Sequence, residues 1–294
     1  MAAMILDGRA AAAEVRNEIS RSVAQFTTAH GPIRLCSVLV GTDAAGLLYA
    51  DSQHQRCLQA GIQHERVQLP ESIDEAGLLA EIDRLNDDPR ITGIMLHMPL
   101  PDHLDAAVAQ YRIDPYKDVE GVNPANIGWL FYGEPIIAPC TALAVIELVR
   151  RSGHTLRGAE AVVVGQSRIV GRPISMILSM EMATVTACHV ATRDLAAHTR
   201  QADILVVAVG RPHLVGAEHV KPGAVVVDVG INKVAVTGPD GRPAHRTVGD
   251  VDFDAVAPVA GAITPVPGGV GPLTVMMLLR NTVEAARKQL ERRV

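Results

Sequence analysis

The chain has 294 residues, of which 48% are hydrophobic and 20% charged, with a formal net charge of −5. That length exceeds one small core and fits two domains or one large α/β unit. The acidic balance gives no electrostatic footprint for nucleic acid or an anionic membrane surface. Aromatics make up only 3%, so the core must be built from Val, Ile, Leu, Ala and Met. The four cysteines, Cys36, Cys57, Cys140 and Cys188, contain no CxxC pair, and with the eleven histidines they show no zinc-like spacing; no metal is expected. The first residues lack the basic start and apolar run of a signal peptide, and no stretch reaches ~18 uninterrupted apolar residues. A cytoplasmic protein with reduced thiols is the expectation.

Short apolar runs alternate with longer helical patterns, the sequence form of βαβ units and a parallel sheet. Arg9–Thr27 reads as a helix and Leu35–Val40 as a buried strand ending at Gly41. A helix over Gly46–Ala60 and a strand over His64–Leu69 follow. Ile73–Asn86 is helical, with Leu78, Leu79, Ile82 and Leu85 on one face. Ile91–Met98 is a strand that stops at Pro99-Leu100-Pro101, and Asp114–Pro139 reads as a loop. Thr141 is placed to cap a helix running to Arg151. Ala161–Val164 is a strand leading into Gly165-Gln166-Ser167-Arg168-Ile169-Val170-Gly171 and a further helix. Ala183–Cys188, Ile204–Val209 and Ala224–Val229 are Val/Ile-rich strands suited to burial on both faces. Gly238–Arg246 reads as a polar hairpin-like insertion, Ala262–Pro272 is Gly/Pro-rich, and Leu273–Arg292 is the last helix.

A strand that delivers Gly165 and Gly171 into a helix start offers backbone N–H groups and a positive dipole end to a phosphate. The spacing is G-x-x-x-x-x-G, and a tight packing turn would need the same glycines. Two more buried strands end at glycine, Val206-Val207-Ala208-Val209-Gly210 and Val227-Asp228-Val229-Gly230. Carboxyl strand ends are where open α/β sheets bind ligands, so a dinucleotide site is favoured over a packing turn.

Three segments carry a family resemblance: Gly165–Pro173, Val248-Gly249-Asp250-Val251, and Ile263-Thr264-Pro265-Val266-Pro267-Gly268-Gly269-Val270-Gly271-Pro272. Pro99-Leu100-Pro101, Lys117-Asp118-Val119-Glu120-Gly121 and Pro139-Cys140-Thr141 support it. Together they resemble the methylenetetrahydrofolate dehydrogenase/cyclohydrolase family over nearly the whole chain, Leu6 to Val283. The resemblance implies an α/β fold with an N-terminal folate-binding catalytic domain (residues 1–141 and 273–294) and a Rossmann-type NAD(P)-binding domain (142–272). The last helix would return to the first domain, and folate would lie in the cleft between the two. It further implies a homodimer that uses NADP or NAD to oxidise 5,10-methylenetetrahydrofolate to the methenyl form, then hydrolyses that to 10-formyltetrahydrofolate.

Carried over residue by residue, the family's catalytic tyrosine is Tyr49, while its lysine becomes Gln53, its glutamine His97 and its second aspartate Glu120. The same four residues, with Pro267 and Gly268, would bind substrate. Gly165, Gln166, Ser167, Ile169, Val190, Gly210, Ile231 and Thr274 would bind the dinucleotide. Hydride transfer needs positioning and a suitable field but no proton transfer. Hydrolysis needs an acid–base group, worth roughly 10²–10⁴-fold. Gln53 does not titrate, so hydrolysis should be weak or lost unless His97 acts as the shuttle. His97 has an equally simple reading as a hydrogen-bonding pocket residue. Glu120 keeps a carboxylate for the pterin edge, on a longer arm that shifts it. The uncharged Gln166 and Val190, where family members using NADP carry a basic or hydroxyl group, favour NAD or a nucleotide site no longer used, with Arg168, Arg172 and Arg193 read either as alternative phosphate contacts or as surface arginines. His54, His103, His189 and His213 lack partners at ligand spacing, and Cys57 and Cys140 read as small buried hydrophobes. The rival readings are a divergent paralogue passing a folate one-carbon unit to another acceptor, and a non-catalytic folate or nucleotide binder.

Overall fold

The computed structural model describes residues 3–41, 44–237 and 242–293; of these, the side chains of residues 44–46, 48, 49, 237, 243 and 293 are not described. The chain opens with β1 (Met4–Ile5), α1 (Gly8–His30), β2 (Arg34–Val40), α2 (Ala44–Ala60), β3 (Gln63–Leu69) and α3 (Glu75–Asp87). There follow β4 (Gly93–Leu96), α4 (Ala106–Arg112), α5 (Pro124–Phe131), α6 (Cys140–Arg151), β5 (Glu160–Val164) and α7 (Gly171–Met180). Then come β6 (Thr184–Cys188), α8 (Leu195–Thr199), β7 (Ile204–Val207), β8 (Val225–Asp228), β9 (Asn232–Thr237) and β10 (Pro243–Val248). The chain closes with α9 (Phe253–Val256), β11 (Ala262–Ile263) and α10 (Val270–Arg293). No helix among the described residues is long and apolar enough to cross a membrane.

Two compact units result: Ala13–Cys140 with Val275–Val294, and Met1–Ala12 with Thr141–Thr274. The sequence assigned residues 1–12 to the first unit. They group with the second because β1 adds to its sheet, with Met4 opposite Ala262 and Ile5 opposite Ile263 in parallel register.

In the first unit three parallel strands lie in the order β3-β2-β4. Successive side chains of a strand point to opposite faces. One face is apolar: Cys36, Val38, Ile94 and Leu96 pack on Leu78, Ile82 and Leu85 of α3 and Ala109 of α4. The residues between them, Ser37 and Leu39 on β2 and Met95 on β4, therefore face the other way. Asp74 caps α3 by accepting from Gly77 N, and Lys117 Nζ closes its far end by donating to the carbonyls of Leu85, Asn86 and Asp88 at 2.6–2.9 Å. A cation at the carbonyl end of a helix is favoured by the dipole as well as by the hydrogen bonds. The C-terminal helix is tied into the same unit: Asn281 Nδ2 donates to Val119 O and Ala138 O, and Gln289 Nε2 to Thr92 O and Tyr116 O.

The second unit holds a six-stranded parallel sheet in the order β1-β11-β8-β7-β5-β6. The chain runs outward from β5 to β6, then crosses to the opposite side of β5 to lay down β7. That reversal is the switch point at which doubly wound sheets open a ligand crevice beyond the strand carboxyl ends. Val162, Val164, Leu205, Val207, Val226 and Ile263 fill one side of its core.

Several elements depart from the sequence reading. The expected loop Asp114–Pro139 contains α5, started by Asn123, whose side chain accepts from Ala125 N, and by Pro124 at the first turn. The short helix α4 was not expected. The expected strand Ile91–Met98 is shorter in the structure, running over Gly93–Leu96. The expected Gly238–Arg246 insertion belongs to a longer hairpin, β9 against β10, running in register from Asn232↔Val248 to Thr237↔Pro243; residues 238–241 lie outside the described residues. The last helix begins three residues early, at Val270, inside the Gly/Pro-rich run.

Candidate functional site

The polar candidates of the first unit gather on the sheet face opposite the apolar one. Gln53, 2% exposed on α2, donates Nε2 to Met95 Sδ at 2.6 Å, so this helix lies over that face. Its Oε1 is buried with no hydrogen-bond partner among the described residues. His97 follows β4 directly, is 4% exposed, and its backbone N–H donates to Val38 O at 2.9 Å. Burial lowers the His97 pKa and the positive charge of Arg66 lowers it further, so the imidazole is neutral at pH 7. Tyr49 lies one turn before Gln53 on α2; its side chain is outside the described residues.

Glu120 is presented by a stiff turn. Asp118, almost wholly buried, accepts from Gly121 N (3.1 Å), Asn123 N (2.8 Å) and Asn126 Nδ2 (2.8 Å). Gly121 has φ +70°, and a Cβ there would strike the backbone of Ala138, so the turn requires glycine. Burial raises the Asp118 carboxyl pKa, against the pull of these N–H donors. Burial pushes the Glu120 carboxyl up to about 8, the neighbouring Asp118 adds to the rise, and the Leu96 N–H opposes it. Glu120 is therefore mostly protonated at neutral pH, where the sequence reading had it as a carboxylate. Lys117 is engaged with α3 as described. The segment Lys117–Gly121 thus presents one functional side chain on two structural ones.

His54, read as having no partner at metal-ligand spacing, makes a contact of another kind: its Nδ1 lies 3.0 Å from Nδ1 of His64 on β3. Cys57 and Cys140 are buried as read, and burial pushes the Cys57 thiol up to about 12.

In the second unit the glycine turn has the geometry a phosphate needs. Gly165 has φ +104°, and a Cβ there would overlap Ala208 O at the end of β7; a Cβ on Gly171 would overlap Gly165 O. No side chain caps Val170 at the start of α7; Arg172 N donates to Ser167 O and Pro173 has no N–H, so Gly171 N is the first-turn donor left for a ligand anion. Of the proposed nucleotide contacts, Gly165 and Gly210 sit at the ends of the neighbouring strands β5 and β7. Ser167 and Ile169 are exposed in the turn. Gln166 is drawn inward, donating Nε2 to Val163 O (3.2 Å) and Ser175 Oγ (3.5 Å). Val190, beyond β6, is 100% exposed. Thr274, in the first turn of α10, donates Oγ1 to Val270 O. Ile231, Pro267 and Gly268 line one cavity of about 160 Å³ together with Arg9 and Asp228.

Two aspartates missed as site residues organise this end of the sheet. Asp250 Oδ2 accepts from Val209 N (2.7 Å) and Gly210 N (2.9 Å), and its Oδ1 from Arg211 N (2.8 Å) and Asn232 Nδ2 (2.9 Å). Asp228 accepts from Gly230 N, Asp250 N and Val251 N at 2.9–3.0 Å. The Val248–Val251 motif thus fixes the loop that carries Gly210. Nothing in a single sequence distinguishes such an aspartate from a surface one, except its place directly after a β-strand.

An α/β protein with a phosphate-type glycine turn at a sheet switch point belongs to the dinucleotide-binding class. Sequence models of the tetrahydrofolate dehydrogenase/cyclohydrolase family match both parts, the catalytic domain over residues 6–120 and the NAD(P)-binding domain over 139–290. The Bordetella avium bifunctional protein FolD is 48% identical over 290 residues, covering 99% of each chain. The crystal structure of the Campylobacter jejuni bifunctional FolD superposes with a TM-score of 0.89 at 40% identity, over 98% of this chain and 100% of that one. That of the Trypanosoma brucei enzyme, complexed with NADP and an inhibitor, gives 0.89 at 38% identity over 99% of each chain. The chain belongs to the tetrahydrofolate dehydrogenase/cyclohydrolase family.

Proposed function

We propose that this chain oxidises 5,10-methylenetetrahydrofolate with NAD or NADP, and hydrolyses the methenyl product more slowly than a lysine-bearing relative. The observation that carries the split is the buried, uncharged Gln53. Its unpartnered Oε1 is an acceptor able to face the positive charge that develops on the methylene carbon as hydride leaves. A bound nicotinamide supplies the hydride acceptor; the glycine turn, the N-terminus of α7 and the loop held by Asp250 would bind and orient it. Hydrolysis requires a group that moves protons. Gln53 carries none, which leaves the neutral imidazole of His97 for that work, and Glu120 as the hydrogen-bonding partner of the pterin edge. Tyr49, Pro267 and Gly268 complete the proposed substrate contacts, and Gly165, Gln166, Ser167, Ile169, Val190, Gly210, Ile231 and Thr274 those of the dinucleotide.

The exposed apolar Val190 and the inward-drawn Gln166 support NAD as the better cofactor. A cytoplasmic homodimer joined through the second unit is the proposed state; the exposed edge of β6 supports it, since an open edge strand invites pairing. Neither the other-acceptor reading nor the non-catalytic one is favoured, because full-length matches to bifunctional relatives accompany an intact glycine turn. The test is turnover: purified protein with 5,10-methylenetetrahydrofolate should reduce a nicotinamide dinucleotide and form the methenyl absorbance. No reduction of NAD or NADP would end this reading, and light scattering on the eluted protein checks the dimer.

A further inference from the structure

The pair His54–His64 has no part in the chemistry above, yet it begins one residue after Gln53 on the same helix. The two Nδ1 atoms are 3.0 Å apart and the rings meet edge to face, with centroids 5.1 Å apart. One Nδ1 carries the hydrogen and the other accepts it. With Asp51 and Arg66, which pair with each other at 2.6 Å, these histidines line an open cavity of about 160 Å³. The other nitrogen of His64, Nε2, is buried and has no hydrogen-bond partner among the described residues. One imidazole therefore reaches a partner beside solvent through one nitrogen and the protein interior through the other.

Strand register shows which interior it meets. His64 pairs with Leu35, Arg66 with Ser37, and Ser37 with Met95. By alternation His64 and Arg66 share the sheet face of Ser37, Met95 and His97. Ser37 is fully buried, and its Oγ also lacks a partner among the described residues. Polar groups thus cross the sheet beneath α2, from His97 beside β4, past Ser37, to His64 at the edge strand. Burial, then the charges of His54, His97 and Arg66, push the His64 pKa down to about 4. Such a ring takes a proton only in passing, as a relay must.

We propose that His64 and His54 form a proton exit from the His97 side of the sheet to solvent, serving methenyl hydrolysis and not hydride transfer. This rests on the function proposed above. In the hydrolysis, water forms a C–O bond to the methenyl carbon. The C–N5 bond then breaks with its electrons passing to N5, one water hydrogen ends on N5, and the second leaves as the one proton released. That proton passes from His97, through a water held at Ser37 Oγ, to His64 Nε2. His64 Nδ1–H moves to His54 Nδ1, and His54 gives up its Nε2 proton to bulk water. Hydride transfer releases no proton, so the relay has no part in it.

The test compares the wild-type enzyme with His64→Ala, His64→Gln and His54→Ala, scoring methenyl hydrolysis and nucleotide reduction side by side. Hydrolysis should fall by about tenfold or more in each variant, with its KM unchanged and its solvent isotope effect raised. Reduction should stay within about twofold, and free imidazole should restore part of the hydrolysis of His64→Ala. Unchanged hydrolysis in all three variants, or equal loss of both activities, would overturn the relay. A wild-type enzyme that reduces nucleotide without hydrolysing above the spontaneous rate would also overturn it, leaving the dehydrogenase reading intact. Hydrolysis that depends on His64 but is unaccompanied by nucleotide reduction would keep the relay and refute that reading.

Discussion

Replacing Asp250 by asparagine changes one atom and should unfasten the loop that carries Gly210. Each carboxylate oxygen accepts two donors, Val209 N and Gly210 N on Oδ2, Arg211 N and Asn232 Nδ2 on Oδ1. An amide keeps one of those oxygens and turns an NH₂ toward the other two donors, so two bonds are lost and donor faces donor. Hydrogen bonds to a charged group are worth about 1.5–3 kcal/mol each, giving a loss of about 3 kcal/mol or more. For a unit of this size that is roughly 6–12 °C in Tm. Calorimetry on Asp250→Asn, with the exposed Asp254→Asn as control, reads the stability. The KM for the dinucleotide should also rise by about tenfold, because the loop at the β7 end loses its tether. A variant that melts with the control, within about 1 kcal/mol, would refute the claim that Asp250 organises this strand end.

Gln53→Lys should raise methenyl hydrolysis by about 10-fold or more, since it returns a titrating group to the face under α2; stopped-flow decay of the methenyl absorbance measures it, and no gain would mean that His97 and Glu120 have reshaped the site around glutamine. Gly171→Ala places a methyl against Gly165 O and should increase the dinucleotide KM by at least about tenfold, while Gly128→Ala, whose added methyl meets nothing within 4 Å, leaves it unchanged. Glu120→Gln tests the carboxyl buried beside Asp118. Its pKa rises from an ordinary 4.5 to about 8 on folding, so folding favours the protonated form. The stability it contributes is complete below pH 4.5 and lost as pH climbs through 8. Tm of the wild type should therefore fall relative to Glu120→Gln between pH 5 and pH 9; parallel curves would contradict the buried-acid assignment.

Much of the architecture was legible because long elements carry strong periodicity. The strands read over Leu35–Val40, Ala161–Val164 and Ile204–Val209 are short, mainly apolar runs suited to cover on both faces, and the structure buries residues 35–40, 161–164 and 204–207. Short elements were not legible. The two-residue strands β1 and β11 have no period to read, and their pairing joins residues over 250 positions apart, which moved the first twelve residues into the other unit. The eight-residue α5 declared itself only through the Asn123-Pro124 start, a signal equally common in turns.

Part of where the candidate side chains gather was legible. Gln53 and His97 do share one sheet face, because His97 alternates with Met95 and Gln53 reaches that same methionine. The glycines at 165 and 171 are required by close backbone approach. What a sequence does not show is the state of a group once water is removed. Glu120 was read as a carboxylate, and burial beside Asp118 makes it an acid near neutrality. The contact of His54 with His64 was not legible, because His64 lies on a strand ten residues on and comes close only after α2 folds back on β3. Asp228 and Asp250 were invisible for a related reason: their role is to accept backbone N–H groups, which any sequence supplies.

The central claim is that one chain separates the two activities, keeping hydride transfer while slowing hydrolysis. Its most direct measurement is a single progress curve: purified protein, 5,10-methylenetetrahydrofolate and NAD, then NADP, with reduced nucleotide and methenyl absorbance followed together. The expected result is nucleotide reduction with methenyl product accumulating, because its enzymatic decay lags behind its formation. Reduction with no methenyl build-up at any time, or no reduction of either nucleotide, would contradict the separation.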